Sequence, residues 1–433
     1  MFRFLCPWHK EGSSGKERGV TQMKQINWKE KLSGLGRMDW YILSASFMFG
    51  GFLLANILFQ GKFFNSMMMG TRYQLNDYFS HLGYASQPFG TNIYVYSRDV
   101  VFPPLAYLFY GFLARMDGFA AADPTDIFAH MTVGQNLTVF VTVMMICTLL
   151  LVYAVSLYIH RDRFRERTLF PALLIVSYPF LFSSVQRGNS VLLIAILLSI
   201  AMAFRESKSK VKREIALILI AICAGFKIYP AVFGLLYLFE KRYAESGRLI
   251  VYGILFFFVP FLFFGGFDAM KTLFSNAANL GSETFSFSVS RIGDDIGTLI
   301  TGEPVPIFSF LLQQAFLVLS LLALYFAERM ETKVLILGAL MGLYVSSGWP
   351  YNSVYMLPGF LMFLRNEEKL QGFSEIATFV LYALTFCVPF VFAWLGGHVI
   401  CYGVFLQWGI NVIVTLKQGV AGLKAGQSRL ESI

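Results

Sequence analysis

The sequence predicts an all-α protein that crosses a membrane about twelve times, and three observations support this prediction. Hydrophobic residues make up 56% of the 433 residues and charged residues only 14%, whereas soluble proteins carry about 25% charged residues. Long apolar runs recur along the chain, and basic residues concentrate in alternate segments between them. This composition excludes a cytosolic globular enzyme, a disordered chain and a nucleic-acid-binding module, despite a net charge of +9.

The apolar runs define the candidate spans, because a helix needs about 20 apolar residues to cross the hydrocarbon. Long runs lie at about 40–60, 136–159, 249–267, 306–327, 373–394 and 398–416. Two shorter runs, 333–347 and 353–365, are separated by a polar and aromatic corner around Trp349. The run 169–204 is interrupted by the polar residues Gln186–Asn189 and predicts a hairpin of two helices.

The run 214–240 could be one tilted helix or two short helices that turn at Lys227–Pro230. Cytoplasmic loops of membrane proteins are enriched in Lys and Arg, so the distribution of charge favours one alternative. With two helices and a cytoplasmic N-terminus, 27 Lys and Arg fall inside and 8 outside. With one helix the division is 19 and 15, and Lys227 is left within the membrane. The charges therefore favour two helices and a total of twelve spans.

This topology divides the chain into a transmembrane domain, 40–416, and two cytoplasmic tails, 1–39 and 417–433. The N-terminal tail holds eight basic residues and no apolar core, so it does not resemble a signal peptide. We expect the protein in the cell membrane with both termini in the cytoplasm. Membrane lipid is then a partner, and nucleic acid is not.

Two large loops face the outside in this topology, at about 61–135 and 268–305. The first loop contains an apolar piece, Pro103–Met116, which is too short to span a bilayer. We expect this piece to form a helix along the outer membrane interface.

Asp77, near the start of the first outer loop, is the leading candidate for chemistry. A carboxylate at a water–lipid boundary is well placed to accept a proton from a hydroxyl group as a general base. Alternatively, Asp77 could cap a helix or be a solvated loop acid. Asp99 is a rival for the same role, although it could simply pair with Arg98.

Two cations at the tips of neighbouring hairpins indicate an anion site. Lys227 lies between two apolar helices, and a charge at the membrane centre costs about 2.5–3.5 kcal/mol on insertion scales. Arg187 occupies the equivalent tip of the preceding hairpin. Together they are suited to a phosphate headgroup, although Lys227 could instead extend to the membrane surface. Arg291, in the second outer loop, is a third candidate.

The sequence predicts no cofactor and no metal site, while leaving a divalent metal open. Five cysteines and five histidines are scattered without the spacing of metal ligands. The chain also has no glycine-rich loop of the type that holds nucleotide phosphates, so neither ATP nor a nucleotide sugar is indicated.

Four segments, taken in order, resemble the C-type (GT-C) membrane glycosyltransferases. The resemblance is closest to glycosyltransferase family 87, the polyprenyl-phosphate-mannose-dependent mannosyltransferases. Each segment is short and weakly specific, but the order and the shared placement on the outer face are more specific. The segments are Asn76–His81 with Phe102–Leu108, Gln186–Asn189, Gly225–Ala231, and Ser346–Tyr351 with Met356–Pro358.

The resemblance implies an inverting enzyme that moves a hexose, with mannose expected, from a polyprenyl-phosphate sugar to a lipid-linked or surface glycan acceptor at the outer face. It also implies that Asp77 is the base and that Lys227 and Arg187 bind the donor phosphate, while Arg291 stays a further candidate from its place in the second outer loop. The substrate-lining residues that it implies are His81, Asn189, Tyr229, Trp349 and Tyr351. Many relatives carry His or Asp after the Trp of the fourth segment, where this chain has Pro350–Asn352.

Two other functions also suit a membrane protein with a cationic outer cavity. The first is a transporter or flippase of lipid-linked glycans, which would not need an acid in contact with an acceptor. The second is a polysaccharide polymerase or ligase of another membrane family. Such proteins usually place their large outer loop late in the chain, whereas here the larger loop comes first.

Overall fold

The computed structural model describes residues 34–62, 64–65, 75–116, 118–119, 135–159, 163–280, 287–345, 348–366, 369–387 and 396–430. These residues form helices and turns without a β-strand, which confirms the predicted all-α fold for this part of the chain. Most of the N-terminal tail, parts of both outer loops and Ser346–Ser347 of the fourth segment lie outside the described residues. The helices described below belong to the compact unit Gly36–Ile433.

The α-helices are numbered here in chain order. They are α1 (Arg37–Leu58), α2 (Asn76–Ala85), α3 (Pro104–Met116), α4 (Gln135–Ser156), α5 (Phe170–Ile175), α6 (Tyr178–Leu181), α7 (Val191–Arg205), α8 (Lys210–Phe226), α9 (Gly234–Phe239), α10 (Tyr243–Phe258), α11 (Gly266–Leu280), α12 (Val289–Thr301), α13 (Pro306–Phe326), α14 (Met330–Leu343), α15 (Leu357–Arg365), α16 (Gly372–Cys387) and α17 (Gly396–Leu430). Short 3₁₀- or π-helical segments join several of them, at Ile93–Val95, Arg165–Leu169, Phe182–Gln186, Tyr229–Phe233, Val259–Phe263 and Pro350–Met356.

Five helical segments of the described chain are long and apolar enough to cross a membrane. They are Arg37–Leu58, Leu137–Ser156, Tyr243–Phe263, Pro306–Phe326 and Val399–Lys424. Arg165–Ile175 and Tyr178–Ser184, bent by 54° at their junction, add a sixth if the pair is one broken span. The other apolar helices, Val191–Arg205, Tyr229–Phe239 and Gly372–Cys387, are shorter. The protein is therefore an integral membrane protein, while the number of twelve spans stays a prediction.

The run 214–240 folds as two helical segments that meet at Lys227, as the distribution of charge favoured. Helix α8 ends at Phe226, and the chain then turns back through Tyr229–Phe233 into α9. An ion pair joins Arg205, the last residue of α7, to Glu240, which follows α9. Since these two residues meet, the chain between them runs away from this end of the bundle and returns to it.

Several interhelical ion pairs gather at this same end, called here the ion-pair end. Arg37 at the start of α1 lies 3.0 Å from Glu375 and 3.7 Å from Glu331, and Arg165 lies 2.6 Å from Asp39. The segments that meet here are among those that the charge distribution places in the cytoplasm. That this end faces the cytoplasm stays a prediction, based on the enrichment of positive charge in cytoplasmic loops.

The centre of the bundle is formed by α7, α14 and α15. Every residue from Val334 to Leu343 of α14 is buried, and α7 is buried along nearly its whole length. A helix that is apolar on all sides is typical of such a central position. Helix α7 packs against α8, and α14 packs against α15.

The two predicted outer loops pack on each other through helices. The apolar piece of the first loop forms α3, with Tyr107 and Leu113 on its buried side and Phe112 and Met116 each 61% exposed. Asn276 of α11 lies buried between the loops. Its amide nitrogen donates to three carbonyl oxygens of the first loop, at 2.9, 3.2 and 3.3 Å, those of Tyr94, Ser97 and Val100.

A close backbone contact joins the start of α2 to the turn that precedes α7. The amide of Leu75 donates to the carbonyl of Gln186 at 2.7 Å, and the amide of Tyr78 donates to that of Arg187 at 3.3 Å. Gly188 in this turn has a φ of +66°, and a Cβ atom there would lie 2.6 Å from the Cβ of Tyr78. Glycine is therefore required at this position, both for its conformation and for its lack of a side chain.

The topology can be tested with cysteines in a Cys6→Ser background, because the four described cysteines are buried. Lys208→Cys lies near the ion-pair end, and Asp268→Cys replaces a side chain that is 85% exposed. We expect a membrane-impermeant maleimide to label Asp268→Cys on intact cells and Lys208→Cys only after permeabilisation. Labelling of both positions from the same side would contradict this topology.

The contact at Gly188 can be tested by comparing Gly188→Ala with Gly266→Ala. Gly266 has nearly the same φ, +63°, but no atom within 4 Å of an added Cβ. Both variants should lose about 1–2 kcal/mol of stability because alanine must adopt a left-handed conformation. Gly188→Ala should lose about 1–3 kcal/mol more through overlap with Tyr78. Thermal unfolding followed with a thiol-reactive dye measures both, and equal unfolding midpoints would argue against the close contact.

Candidate active site

A cleft of about 290 Å³ opens at the end of the bundle opposite the ion-pair end. Its walls come from α2, the first outer loop, the two hairpin turns and the corner at Trp349. Except for Arg291, every predicted site residue lines it, namely Asp77, His81, Arg187, Asn189, Lys227, Tyr229, Trp349 and Tyr351. The fold thus brings together side chains that lie far apart in the sequence.

Asp77 lies in the first turn of α2, one residue inside the helix rather than at its N-cap, which is Leu75. The partial positive charge of a helix N-terminus favours a carboxylate there. Its Oδ2 accepts a hydrogen bond from the Asn189 amide at 2.6 Å, and its Oδ1 lies 3.7 Å from an Arg187 guanidinium nitrogen. Asp77 is therefore an oriented, paired carboxylate within the cleft.

Asn189 orients this carboxylate, and its own orientation is determined by the backbone. The side-chain oxygen of Asn189 accepts from the amide of Val191 at 3.1 Å. The side-chain NH₂ group must then face Asp77 and the hydroxyl of Tyr351, which lies 3.3 Å away. Asn189 is only 3% exposed, so water competes little for these hydrogen bonds.

Arg187 lies between the carboxylate and an aromatic ring. Its guanidinium carbon is 4.2 Å from the ring centre of Trp349, the geometry of a cation–π contact. Both the Arg187 and the Asp77 side chains are largely buried, so their attraction is screened less than that of a surface pair.

Lys227 lies in the turn after α8 with its ammonium group against aromatic rings. Its Nζ is 4.5 Å from the ring centre of Phe102 and 5.8 Å from that of Tyr351. No carboxylate among the described residues lies within 4 Å of this nitrogen. Burial lowers the pKa of Lys227 to about 8, although the charge of Asp77 acts in the opposite direction. The side chain is therefore mainly cationic at neutral pH.

His81 follows Asp77 by one helical turn and lines the same cleft. Its ring packs against Phe102 and Tyr110, with ring centres 4.2 and 5.0 Å away. Burial, with a smaller effect of the Lys227 charge, lowers the pKa of His81 to about 3. The imidazole is therefore neutral at physiological pH.

Arg291 lies apart from these residues. It belongs to α12, where its Nε is 3.0 Å from Asp295, and Asp295 in turn accepts from the hydroxyl of Tyr402 at 2.6 Å. The structure does not bring Arg291 to the cleft, and its role in phosphate binding stays a prediction. Asp99, the rival base, does line the cleft and is exposed to solvent.

The structure also reveals cleft residues that sequence reasoning did not single out. Phe102 supports both His81 and Lys227, and Tyr84 follows His81 on the same face of α2. The helical period that relates Asp77, His81 and Tyr84 could have identified Tyr84. Among the described residues, no group of three or more His, Cys, Asp or Glu could hold a metal ion.

A comparison with protein families gives one match. The model of glycosyltransferase family 87 matches residues 101–347, which are 247 of the 433 residues. The matched region includes Arg187 and Lys227, whereas Asp77 and Trp349 lie outside it. Neither the curated proteins nor the solved structures gave a match. Because the family model covers more than half of the chain, it confirms the resemblance: this protein belongs to glycosyltransferase family 87 and is a membrane glycosyltransferase.

Proposed function

We propose that this protein is an inverting hexosyltransferase that acts at the outer face of the membrane. The donor is a hexose, with mannose expected, on a polyprenyl phosphate, and the acceptor is a lipid-linked or surface glycan. The observation that carries the proposal is the meeting of the Asp77 carboxylate and two cations in a single cleft among aromatic rings. The donor is itself a membrane lipid, which suits a cleft built on a transmembrane bundle.

In the proposed reaction Asp77 acts as the general base. Its carboxylate takes the proton from an acceptor hydroxyl as the hydroxyl oxygen forms a bond to the anomeric carbon of the donor sugar. The bond between that carbon and the phosphate oxygen breaks, and its electron pair leaves with the lipid phosphate. A single displacement of this kind inverts the configuration at the anomeric carbon.

Lys227 and Arg187 stabilise the leaving phosphate, whose negative charge grows as the bond breaks. Donors that are already in place when charge develops lower the barrier without reorganisation. Lys227 suits this role because its ammonium group lies in the cleft beside two aromatic rings, and no carboxylate of the described residues lies within 4 Å of it. The attraction is stronger in a buried site than in water, because the effective dielectric constant is lower.

Aromatic side chains provide the apolar surfaces of the cleft. Trp349, Tyr351 and Tyr229 all line it, and Tyr351 is nearly fully buried. Such rings have an apolar face and, in tyrosine, a polar hydroxyl group. This combination suits a sugar, which presents C–H groups on its faces and hydroxyl groups around its edge.

Asp77→Asn, compared with Asp99→Asn, tests the base. The amide cannot accept the proton, so the transfer rate should fall by about 10²- to 10⁴-fold in Asp77→Asn, while donor binding stays within a few-fold. Asp99→Asn removes the other carboxylate of the same cleft and should retain most of the activity. Both are measured with purified protein and radiolabelled polyprenyl-phosphate mannose. Full activity of Asp77→Asn, or an equal loss in Asp99→Asn, would remove Asp77 as the base.

The charge of Lys227 can be tested through the pH dependence of donor binding. Since the pKa of Lys227 is about 8, the cationic form predominates below pH 8 and is lost above it. Donor affinity should therefore fall as the pH rises through 8, by up to tenfold per unit. Lys227→Arg should shift this fall to a much higher pH, and Lys227→Met should bind weakly at every pH. A pH profile that is the same in all three proteins would exclude Lys227 as the phosphate ligand.

When the protein is reconstituted in vesicles, the same assay distinguishes a glycosyltransferase from a transporter. Transfer of label to a glycan acceptor supports the enzyme. Movement of the labelled donor across the membrane without transfer would instead support a flippase of lipid-linked glycans.

A further inference from the structure

The imidazole of His81 takes no part in the reaction proposed above, although it lies in the wall of the cleft. The residue is 6% exposed, and its Nδ1 atom is buried without a hydrogen-bond partner in the described part of the chain. A polar side chain in such surroundings is costly unless a partner compensates it. The other ring nitrogen, Nε2, also has no hydrogen bond in the described part of the chain and is not buried, so it is the polar atom that a ligand in the cleft can reach.

The position of His81 on α2 restricts what that ligand can be. Asp77, His81 and Tyr84 follow one another at intervals of four and three residues, so they share one helical face, and all three line the cleft. Residues four apart on a helix have Cβ atoms about 5–6 Å from each other. A substrate whose reacting atoms lie at Asp77 can therefore reach His81 within the width of one sugar ring.

Phe102 relates His81 to the cation that we assign to the donor phosphate. The ring of Phe102 lies 4.2 Å from the imidazole centre and 4.5 Å from the Nζ of Lys227. The imidazole and the ammonium group thus contact the same aromatic ring. If Lys227 holds the phosphate, the transferred hexose attached to it lies close to the face of α2 that carries Asp77 and His81.

The imidazole is held in one orientation by its neighbours. Phe102 and Tyr110 pack against it with interplanar angles of 37° and 38°. With Nδ1 buried, Nε2 is the ring nitrogen that remains for a ligand in the cleft. A neutral imidazole nitrogen makes one hydrogen bond, as donor or acceptor, and a sugar hydroxyl can complement either.

We propose that His81 is a specificity-determining residue, which hydrogen-bonds through Nε2 to one hydroxyl group of the transferred hexose. This inference rests on the proposed function. It gives His81 a role in recognising the sugar and no role in the displacement reaction itself. A site built to hydrogen-bond a hydroxyl group rejects analogues that lack it, because a buried polar atom would otherwise stay unpaired.

The test compares hydroxyl groups one at a time. kcat/KM is measured for polyprenyl-phosphate mannose and for four analogues that lack the 2-, 3-, 4- or 6-hydroxyl group. We expect the unmodified enzyme to discriminate against one analogue by about 100-fold or more. His81→Phe keeps an aromatic ring between Phe102 and Tyr110, and it should reduce this ratio to less than about tenfold while leaving the other three ratios unchanged.

Ser80→Ala is the matched control. Ser80 lies beside His81 on the same cleft wall, but its hydroxyl group already donates to the carbonyl of Asn76 at 2.7 Å. The discrimination ratios of Ser80→Ala should therefore equal those of the unmodified enzyme. A loss of discrimination in Ser80→Ala as large as in His81→Phe would indicate a general disturbance of the cleft and would overturn the assignment.

Two further variants keep the test decisive if His81→Phe does not fold. The amide of His81→Gln reaches the position of Nε2 and should retain part of the discrimination, whereas the shorter amide of His81→Asn should lose it. Unchanged ratios in His81→Phe, or equal ratios in the Gln and Asn variants, would overturn the role of His81 alone. Absence of transfer from every donor by the unmodified enzyme would overturn the proposed donor class, and this inference with it.

Discussion

The cleft depends on the contact between the first turn of α2 and the turn Gln186–Asn189. Two backbone hydrogen bonds, from the amides of Leu75 and Tyr78 to this turn, hold the segments together independently of any charged side chain. Asn189 then reaches Asp77, and Arg187 lies beside it, because both come from the same turn. The candidate base and two of its partners therefore belong to one rigid unit, in which backbone geometry determines side-chain geometry.

Charge and aromatic rings are combined in this cleft in a way that suits an anionic lipid ligand. Two cations, Arg187 and Lys227, lie with the largely buried carboxylate of Asp77, whereas the second carboxylate of the cleft, that of Asp99, is exposed to solvent. Aromatic faces contact both cations without neutralising them, and of the two cations Arg187 is also paired with a carboxylate, that of Asp77. The ion pairs at the ion-pair end serve packing between helices, whereas the cations of the cleft have capacity left for a ligand.

Much of this arrangement could be predicted from the sequence, and the remainder has identifiable reasons for being missed. Composition and apolar runs predict a membrane bundle, and the turn at Lys227 follows from the distribution of Lys and Arg. The pairing of Arg291 with Asp295 was not foreseen, because an i,i+4 contact on α12 requires that the segment be helical rather than an open loop. The role of Phe102 was missed because its contacts with His81 and Lys227 depend on tertiary packing, which no local pattern encodes.

The absence of a side chain at Gly188 couples this position to Tyr78, which is distant in the chain. Since the Cβ of Tyr78 occupies the space that a residue at 188 would need, neither position can change in size independently of the other. Asn189 similarly shares its amide between Asp77 and Tyr351. Three of the four segments that resemble family 87 thus constrain one another through direct contact. If one of these segments is replaced by the equivalent segment of a relative, the cleft should form only when the contacting segments are replaced as well. The residues of this cleft can therefore vary only together, as a set of segments.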